Sequence, residues 1–440
     1  MNAPTKENIA IVMRGFEEFF AQMIKTQGFN IQEFFNFMEP KFAAAGYRDT
    51  DKTIRDGNIL ILTETGVGDF VLSSGLIREV RRLYPDARIT LLVRAASAIL
   101  AETCPYVNEI VLDPQGFQPT NLFEFYKINL QTARTLLEQR FDICFACVLH
   151  PKSFFLMYMS GAKTRVTAIQ QETYDEFNNS RNFTEFSMRL ATHIFPYSNY
   201  GTHTADRFFS LLENMLHLPI TNRKTEVWYT PADVSFVKTL LKGVSTPIYA
   251  LCMGGDMPKN HYPPEKYAKF LEMILRKEPT ATFVILGGGQ DDLKSAEILK
   301  NAKPQIYEKN IIDLTNKLNY RQSSAILSFC DIYIGNDTGT MHAAVATGCS
   351  ALILMCFGAD LPTLHQNNPR RWYPYGVPNV VVQPKHALPE CKKVNFYDPR
   401  GCAAPFPHCI TQIEPETLYK GFKLLKKRIA AGINEPLYMS

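Results

Sequence analysis

Apolar and polar residues along this chain follow two rhythms. In residues 1–55 the apolar positions recur every three or four residues: Ile9, Val12, Phe16, Phe19, Phe20 and Met23, then Ile31, Phe34, Phe35 and Met38 up to Pro40. That spacing lines one face of a helix and predicts two short amphipathic helices. Such short helices are marginal alone, so their apolar faces need a surface to cover them. Docking on the same chain, or a contact between subunits, fits better than a membrane surface, because the polar faces carry both charge signs.

From residue 58 the rhythm changes. Unbroken apolar runs at 58–63 (NILILT), 87–93 (ARITLLV), 107–113 (VNEIVLD) and 141–149 (FDICFACVL) alternate with helical spacing at 69–85, 97–105 and 122–140. A helix over 202–219 closes this half, and a polar stretch, TNRKTEVWYTPADVSF, leads into the next. There the alternation restarts: strands at PIYALC, ATFVIL, CDIYIGN and SALILM, helices at 263–279 and 293–302, and a last helix at 415–431. Continuous apolar strands between helices predict parallel sheets covered on both faces. The expected fold is α/β: two doubly wound Rossmann-like domains facing a cleft, with an N-terminal helical extension. The expected segments are 1–55, 56–235, 246–414 and 415–440.

The bulk numbers remove some classes of function. The chain has 440 residues, and a net charge of +4 is too mild to argue for nucleic acid. No run is long enough to span a membrane, and Lys6, Glu7, Arg14, Glu17 and Glu18 interrupt the N-terminal apolar residues, unlike a secretory signal. Ten cysteines without such a signal fit reduced thiols in the cytoplasm.

Four stretches carry candidate chemistry. In TETGVGDF a strand leads through Gly66 and Gly68 into a helix, with Asp69 at its mouth. It is neither the dinucleotide fingerprint nor a P-loop, since the third glycine position is Val71 and no Gly-Lys-Ser/Thr follows. Asp69 is either a helix cap or a general base taking a proton from an attacking hydroxyl. In NDTGTMH, Asp337, Thr338, Gly339, Thr340 and His342 mark a second strand-to-helix junction whose N–H groups would form an anion site. Against this stand Asp337 as a cap and His342 as a packed surface residue. Lys259, after the glycines of CMGGDMPKN, is either a diphosphate ligand or a solvated loop residue. Asp291 and Asp292, after LGGG, either offer a carboxylate to a ribose diol or cap their helix. Cys391, Cys402 and Cys409 lack the tight pair typical of zinc sites, so buried thiols are preferred to a metal-bound loop.

Taken together, ILILTETGVGDFVLSSGLIREVRRLYPDARITLLV and CDIYIGNDTGTMHAAVATGCSALILMCFGAD resemble glycosyltransferase family 9, the lipopolysaccharide heptosyltransferases. GAKTRV, THTADRFFSLL, MPKNHYPPEKY and VILGGGQDD fall between them in family order, and the resemblance covers about residues 57–428. It implies a GT-B fold and inverting transfer from a nucleotide sugar, typically ADP-heptose, with no cofactor or metal required. It implies Asp69 as base; Thr338, Gly339, Thr340, His342 and Lys259 as diphosphate ligands; Asp337 ordering that loop or touching the donor sugar; and Asp291 at the ribose. The implied acceptor is a glycan, a glycolipid or a protein, and the implied location the cytoplasm, including the inner face of the membrane. The chain departs from the family at Lys259-Asn260-His261-Tyr262-Pro263, where Lys-x-Trp-Pro is usual, and in its first 55 residues. A related group, the autotransporter heptosyltransferases, holds iron through cysteines and modifies protein serines, but its tight cysteine pair is missing here. Nucleotide-sugar epimerases share the two-domain architecture and remain an alternative.

Overall fold

The computed structural model describes residues 5–26, 31–47, 57–63, 65–113, 122–147, 151–170, 189–197, 202–255, 257–361, 368–389 and 408–440. They form two compact units. The first holds Met1–Gly66, Leu76–Asn199 and Arg207–Thr221; the second holds Val67–Gly75, Tyr200–Asp206 and Asn222–Ser440.

The first unit is built on a six-stranded parallel sheet: β1 (Asn58–Thr63), β2 (Arg88–Arg94), β3 (Glu109–Asp113), β4 (Ile143–Ala146), β5 (Thr164–Gln170) and β6 (His193–Tyr197), in spatial order β3-β2-β1-β4-β5-β6. The central strands are buried almost end to end, which is why they read as unbroken apolar runs. The order reverses between β1 and β4, the mark of a doubly wound sheet.

The N-terminal helices, Lys6–Thr26 and Ile31–Ala44, dock on this unit. Phe16 lies 5.1 Å from Phe155 and Phe34 5.4 Å from Tyr158, ring centre to ring centre, and the Tyr158 hydroxyl donates to Glu39 Oε1 at 2.8 Å. The apolar stripes thus share one core with the body of their own chain. Pro40 does not end the second helix as expected; the helix runs on to Ala44. The proline forfeits one backbone bond. Fully buried Phe42, beyond it, packs 5.2 Å from Tyr158 and 6.1 Å from Tyr47 and holds the last turn in place.

The second unit carries a seven-stranded parallel sheet: β7 (Ile248–Cys252), β8 (Thr282–Ile285), β9 (Ile311–Asp313), β10 (Ile332–Asn336), β11 (Ser350–Leu354), β12 (Asn379–Val382) and β13 (Tyr438–Met439). Its order is β13-β12-β11-β10-β7-β8-β9, so this sheet reverses between β7 and β10. Its two faces are covered by separate apolar clusters, one of which includes Leu418, Phe422 and Leu425 of the C-terminal helix Pro415–Ala431. Among the described residues, no helix is long and apolar enough to cross a membrane.

Candidate active site

Ligands of open α/β sheets sit beyond the carboxyl ends of the strands where the order reverses. In the second unit those ends are Cys252 of β7 and Asn336 of β10. Asn336 is fully buried, and its amide donates to the carbonyls of Met253 at 2.7 Å and Gly254 at 3.2 Å. It ties the two strand-end loops together, a role the sequence reading missed although its neighbour Asp337 was singled out. Beneath them burial pushes the Cys252 thiol up to about 11, so it stays neutral near pH 7. Hydroxyls of Tyr333, Thr338 and Thr340 surround that thiol.

Thr338 caps the helix Gly339–Ala346, its hydroxyl accepting from the Met341 N–H. The cap is therefore Thr338, not Asp337. The first-turn N–H groups have no acceptor within the helix, and the helix dipole adds positive potential there. Asp337 to Thr340 are half-buried at this end. His342 is 4% exposed, so it is not a surface histidine. Its Nε2 lies 3.6 Å from Asp337 Oδ1, and its Nδ1 is buried with no hydrogen-bond partner.

The other junction opens the helix Val67–Leu83. Gly66 occupies its cap position, extended and with no side-chain cap bond, so Asp69 is not the cap. Asp69 lies one step inside, in the first turn, half-buried. Gly68 explains the spacing. A Cβ there would stand 2.9 Å from His342 Cδ2 and 3.3 Å from the Gly339 Cα, and a Cβ on Gly339 would meet the Gly68 nitrogen at 3.2 Å. The first turns of the two helices thus touch backbone to backbone, which only glycine permits. One turn carries the acid; the other carries the capping threonine and the buried histidine.

Sequence reasoning also left His203 unused, although its segment THTAD was part of the family pattern. His203 is buried. Its Nε2 meets the Tyr373 carbonyl at 2.9 Å, and its Nδ1 accepts from Ala205 N–H at 3.1 Å. Its ring stacks on Tyr375 at 4.6 Å, and the Tyr375 hydroxyl donates to Asp206, which also pairs with Arg223 at 2.9 Å. Burial, and then the neighbouring His342, push His203 down to about 3, so the ring is neutral.

Lys259 is 5% exposed on the short turn Pro258–Asn260, which rules out a solvated loop lysine. Tyr262, where the family has tryptophan, is core: its ring packs against Tyr267 and its hydroxyl donates to the Ile413 carbonyl at 3.0 Å. Asp291 is exposed in the first turn of the helix Gln290–Ala302, whose cap is Gly289. Its neighbour Asp292 is buried and accepts from Gly288 N–H at 2.9 Å. Burial raises its pKa. Cβ atoms on Gly254 or Gly287 would strike its carboxylate, so Asp292 locks both glycine loops. Cys409 is buried, accepts from Leu388 N–H at 3.4 Å and lies 3.1 Å from His408 Nδ1. Cys391 and Cys402 lie outside the described residues, and among those described no cluster of three or more His, Cys, Asp or Glu is arranged to hold a metal ion.

Known proteins resemble this chain in sequence and fold. The chain is 21% identical over 318 residues to lipooligosaccharide heptosyltransferase 2 of Haemophilus ducreyi, covering 69% of this chain and 84% of that one. The solved structure of E. coli ADP-heptose lps heptosyltransferase II superposes with a TM-score of 0.61 at 17% identity, over 84% of this chain and 99% of the other. E. coli heptosyltransferase WaaC with ADP superposes with a TM-score of 0.56 at 11% identity, over 85% and 99%. These likenesses establish the GT-B fold. The model of glycosyltransferase family 9 (heptosyltransferase) matches residues 130–397. The chain belongs to that family and is a glycosyltransferase.

Proposed function

We propose that this protein transfers a heptose from ADP-heptose, with inversion, to a hydroxyl of a cell-surface glycan such as lipopolysaccharide core, at the cytoplasmic side of the membrane. The observation that carries the reading is the contact of the two glycines, which sets the Asp69 turn against the helix end that begins at Thr338. In this reading residues 246–414 hold the donor and residues 56–235 take the acceptor. Asp69 removes the proton of the acceptor hydroxyl as it attacks the anomeric carbon from the face opposite the diphosphate. Charge then grows on the departing ADP. The N–H groups of Gly339 and Thr340, the hydroxyl of Thr338, and Lys259 stabilise it, and His342 donates through the nitrogen that otherwise lacks a partner. Asp337 orders this loop and orients His342. Asp291 reaches the ribose.

The donor assignment is tested by thermal shift with ADP-heptose, ADP-glucose, UDP-glucose and GDP-mannose. A ligand held at a hundredfold excess over its Kd stabilises by about 2.7 kcal/mol. ADP-heptose is expected to raise the melting temperature most. A larger shift with a uridine or guanosine sugar overturns the adenine assignment.

A further inference from the structure

Polar side chains gather at the carboxyl edge of the first sheet, and the mechanism above uses none of them. Arg94 ends β2 and Asp113 ends β3, and the two are register partners in the parallel pair. Lys152, after β4 in the helix Pro151–Met159, pairs with Asp113 Oδ2. Asp113 and Lys152 are 2% and 4% exposed. Ser97, one turn beyond Arg94, is fully buried. Three atoms of this group have no hydrogen-bond partner: Arg94 Nε, Ser97 Oγ and Asp113 Oδ1.

A buried ion pair seldom stabilises a fold more than apolar packing does, and buried atoms left without partners cost further. Three such atoms at the ligand-binding edge of a parallel sheet are a pattern that a ligand would complete. Arg94 is half-buried, and its neighbours Ala95 and Ala96 are exposed.

The donor and acceptor set selects the ligand. Asp113 Oδ1 only accepts, Arg94 Nε only donates, and Ser97 Oγ does both. A phosphate or carboxylate offers mainly acceptors and would leave Asp113 Oδ1, which also only accepts, without a donor. A pair of sugar hydroxyls donates and accepts at once. We propose that Arg94, Ser97 and Asp113 bind adjacent hydroxyls of a neutral acceptor sugar, with Lys152 fixing the Asp113 carboxylate through its other oxygen. This rests on the reading of residues 56–235 as the acceptor side.

The full-length protein is examined by saturation-transfer NMR with D-mannose, 2-deoxy-D-glucose and inorganic phosphate, and ADP affinity is measured in parallel. Wild type should bind mannose, bind the deoxy sugar more weakly and ignore phosphate. Asp113→Asn should weaken mannose binding about tenfold and Ser97→Ala about threefold, from the hydrogen bonds lost, with ADP affinity unchanged. If Asp113→Asn does not fold, Ser97→Ala and Arg94→Lys decide. Mannose bound equally by wild type and these variants overturns the proposal, as does no binding to wild type or preference for phosphate. Failure of wild type to bind ADP would instead overturn the donor reading and leave the sugar comparison standing.

Discussion

Two strand-to-helix junctions, at Gly66–Asp69 and Thr338–His342, start from similar sequence and end with opposite chemistry. Each follows a buried parallel strand and opens a helix at a glycine-rich turn. In the second, a threonine hydroxyl satisfies part of the helix end, and a buried histidine keeps one nitrogen without a partner. In the first, a glycine occupies the cap and the acid is the third residue of the helix. A helix end can hold an anion from solution or carry its own. In the proposed mechanism the two junctions divide those jobs. The glycine pair sets their distance.

The largest effect is expected from erasing the acid. Asp69→Asn should lower kcat for transfer by about 10²–10⁴, the usual contribution of a positioned base, with little change in ADP affinity. His342→Ala should show the opposite pattern: ADP binding weakened about tenfold, the worth of one charge-assisted bond, with a smaller loss of kcat at saturating donor. Calorimetry with ADP and a direct transfer assay on both variants would check this. If both lose binding and turnover in equal measure, the junctions do not divide the work.

The next effect tests the spacing. Gly68→Ala improves helix propensity by up to about 1 kcal/mol. Yet the new methyl meets His342 Cδ2 at 2.9 Å and a backbone Cα at 3.3 Å. Overpacking of that kind costs about 1–3 kcal/mol, so the variant should melt lower and bind ADP more weakly. By contrast, nothing lies within 4 Å of a Cβ on Gly66. Gly66→Ala should cost only a cap preference of about 1 kcal/mol or less. Chemical denaturation of both variants separates the two positions; equal losses would mean the close approach is not what requires glycine at 68.

Much of this was legible beforehand. Strands β1, β2, β4, β7, β8, β10 and β11 announced themselves because parallel strands buried on both faces leave uninterrupted apolar runs, while the half-buried edge strand β3 showed through Ile110, Val111 and Leu112. The strands that escaped were β5, β6, β9, β12 and β13. β6 contains Pro196 and is mostly half-exposed, while β9 and β13 have three and two residues, too short for any period to register. Asp69 and the NDTGTMH segment stood out as charge and glycine at strand-to-helix junctions, where capping and chemistry were competing explanations. Asp292 was not separable from Asp291, because which of two adjacent acids turns inward depends on the helix phase set by Gly289. Asn336 and His203 were illegible for another reason. Their partners, the Met253 and Tyr373 carbonyls, are 83 and 170 residues away, and backbone carbonyls leave no mark in a sequence.

The smallest effect concerns the buried His203, whose charge His342 of the second junction opposes. His203 has a folded pKa of about 3 against 6.5 for a free side chain. The unfolded chain therefore takes up a proton that the folded one refuses. This contribution to stability is complete above pH 6.5 and is lost as the pH falls from 6.5 toward 3, at up to about 1.4 kcal/mol per unit. His203→Gln keeps a donor and an acceptor but does not titrate, so it should be less stable than wild type at pH 7 and lose part of that deficit by pH 5. Denaturation midpoints of both proteins at pH 7, 6 and 5 measure the difference. A gap that stays constant with pH would mean that His203 titrates alike in both states.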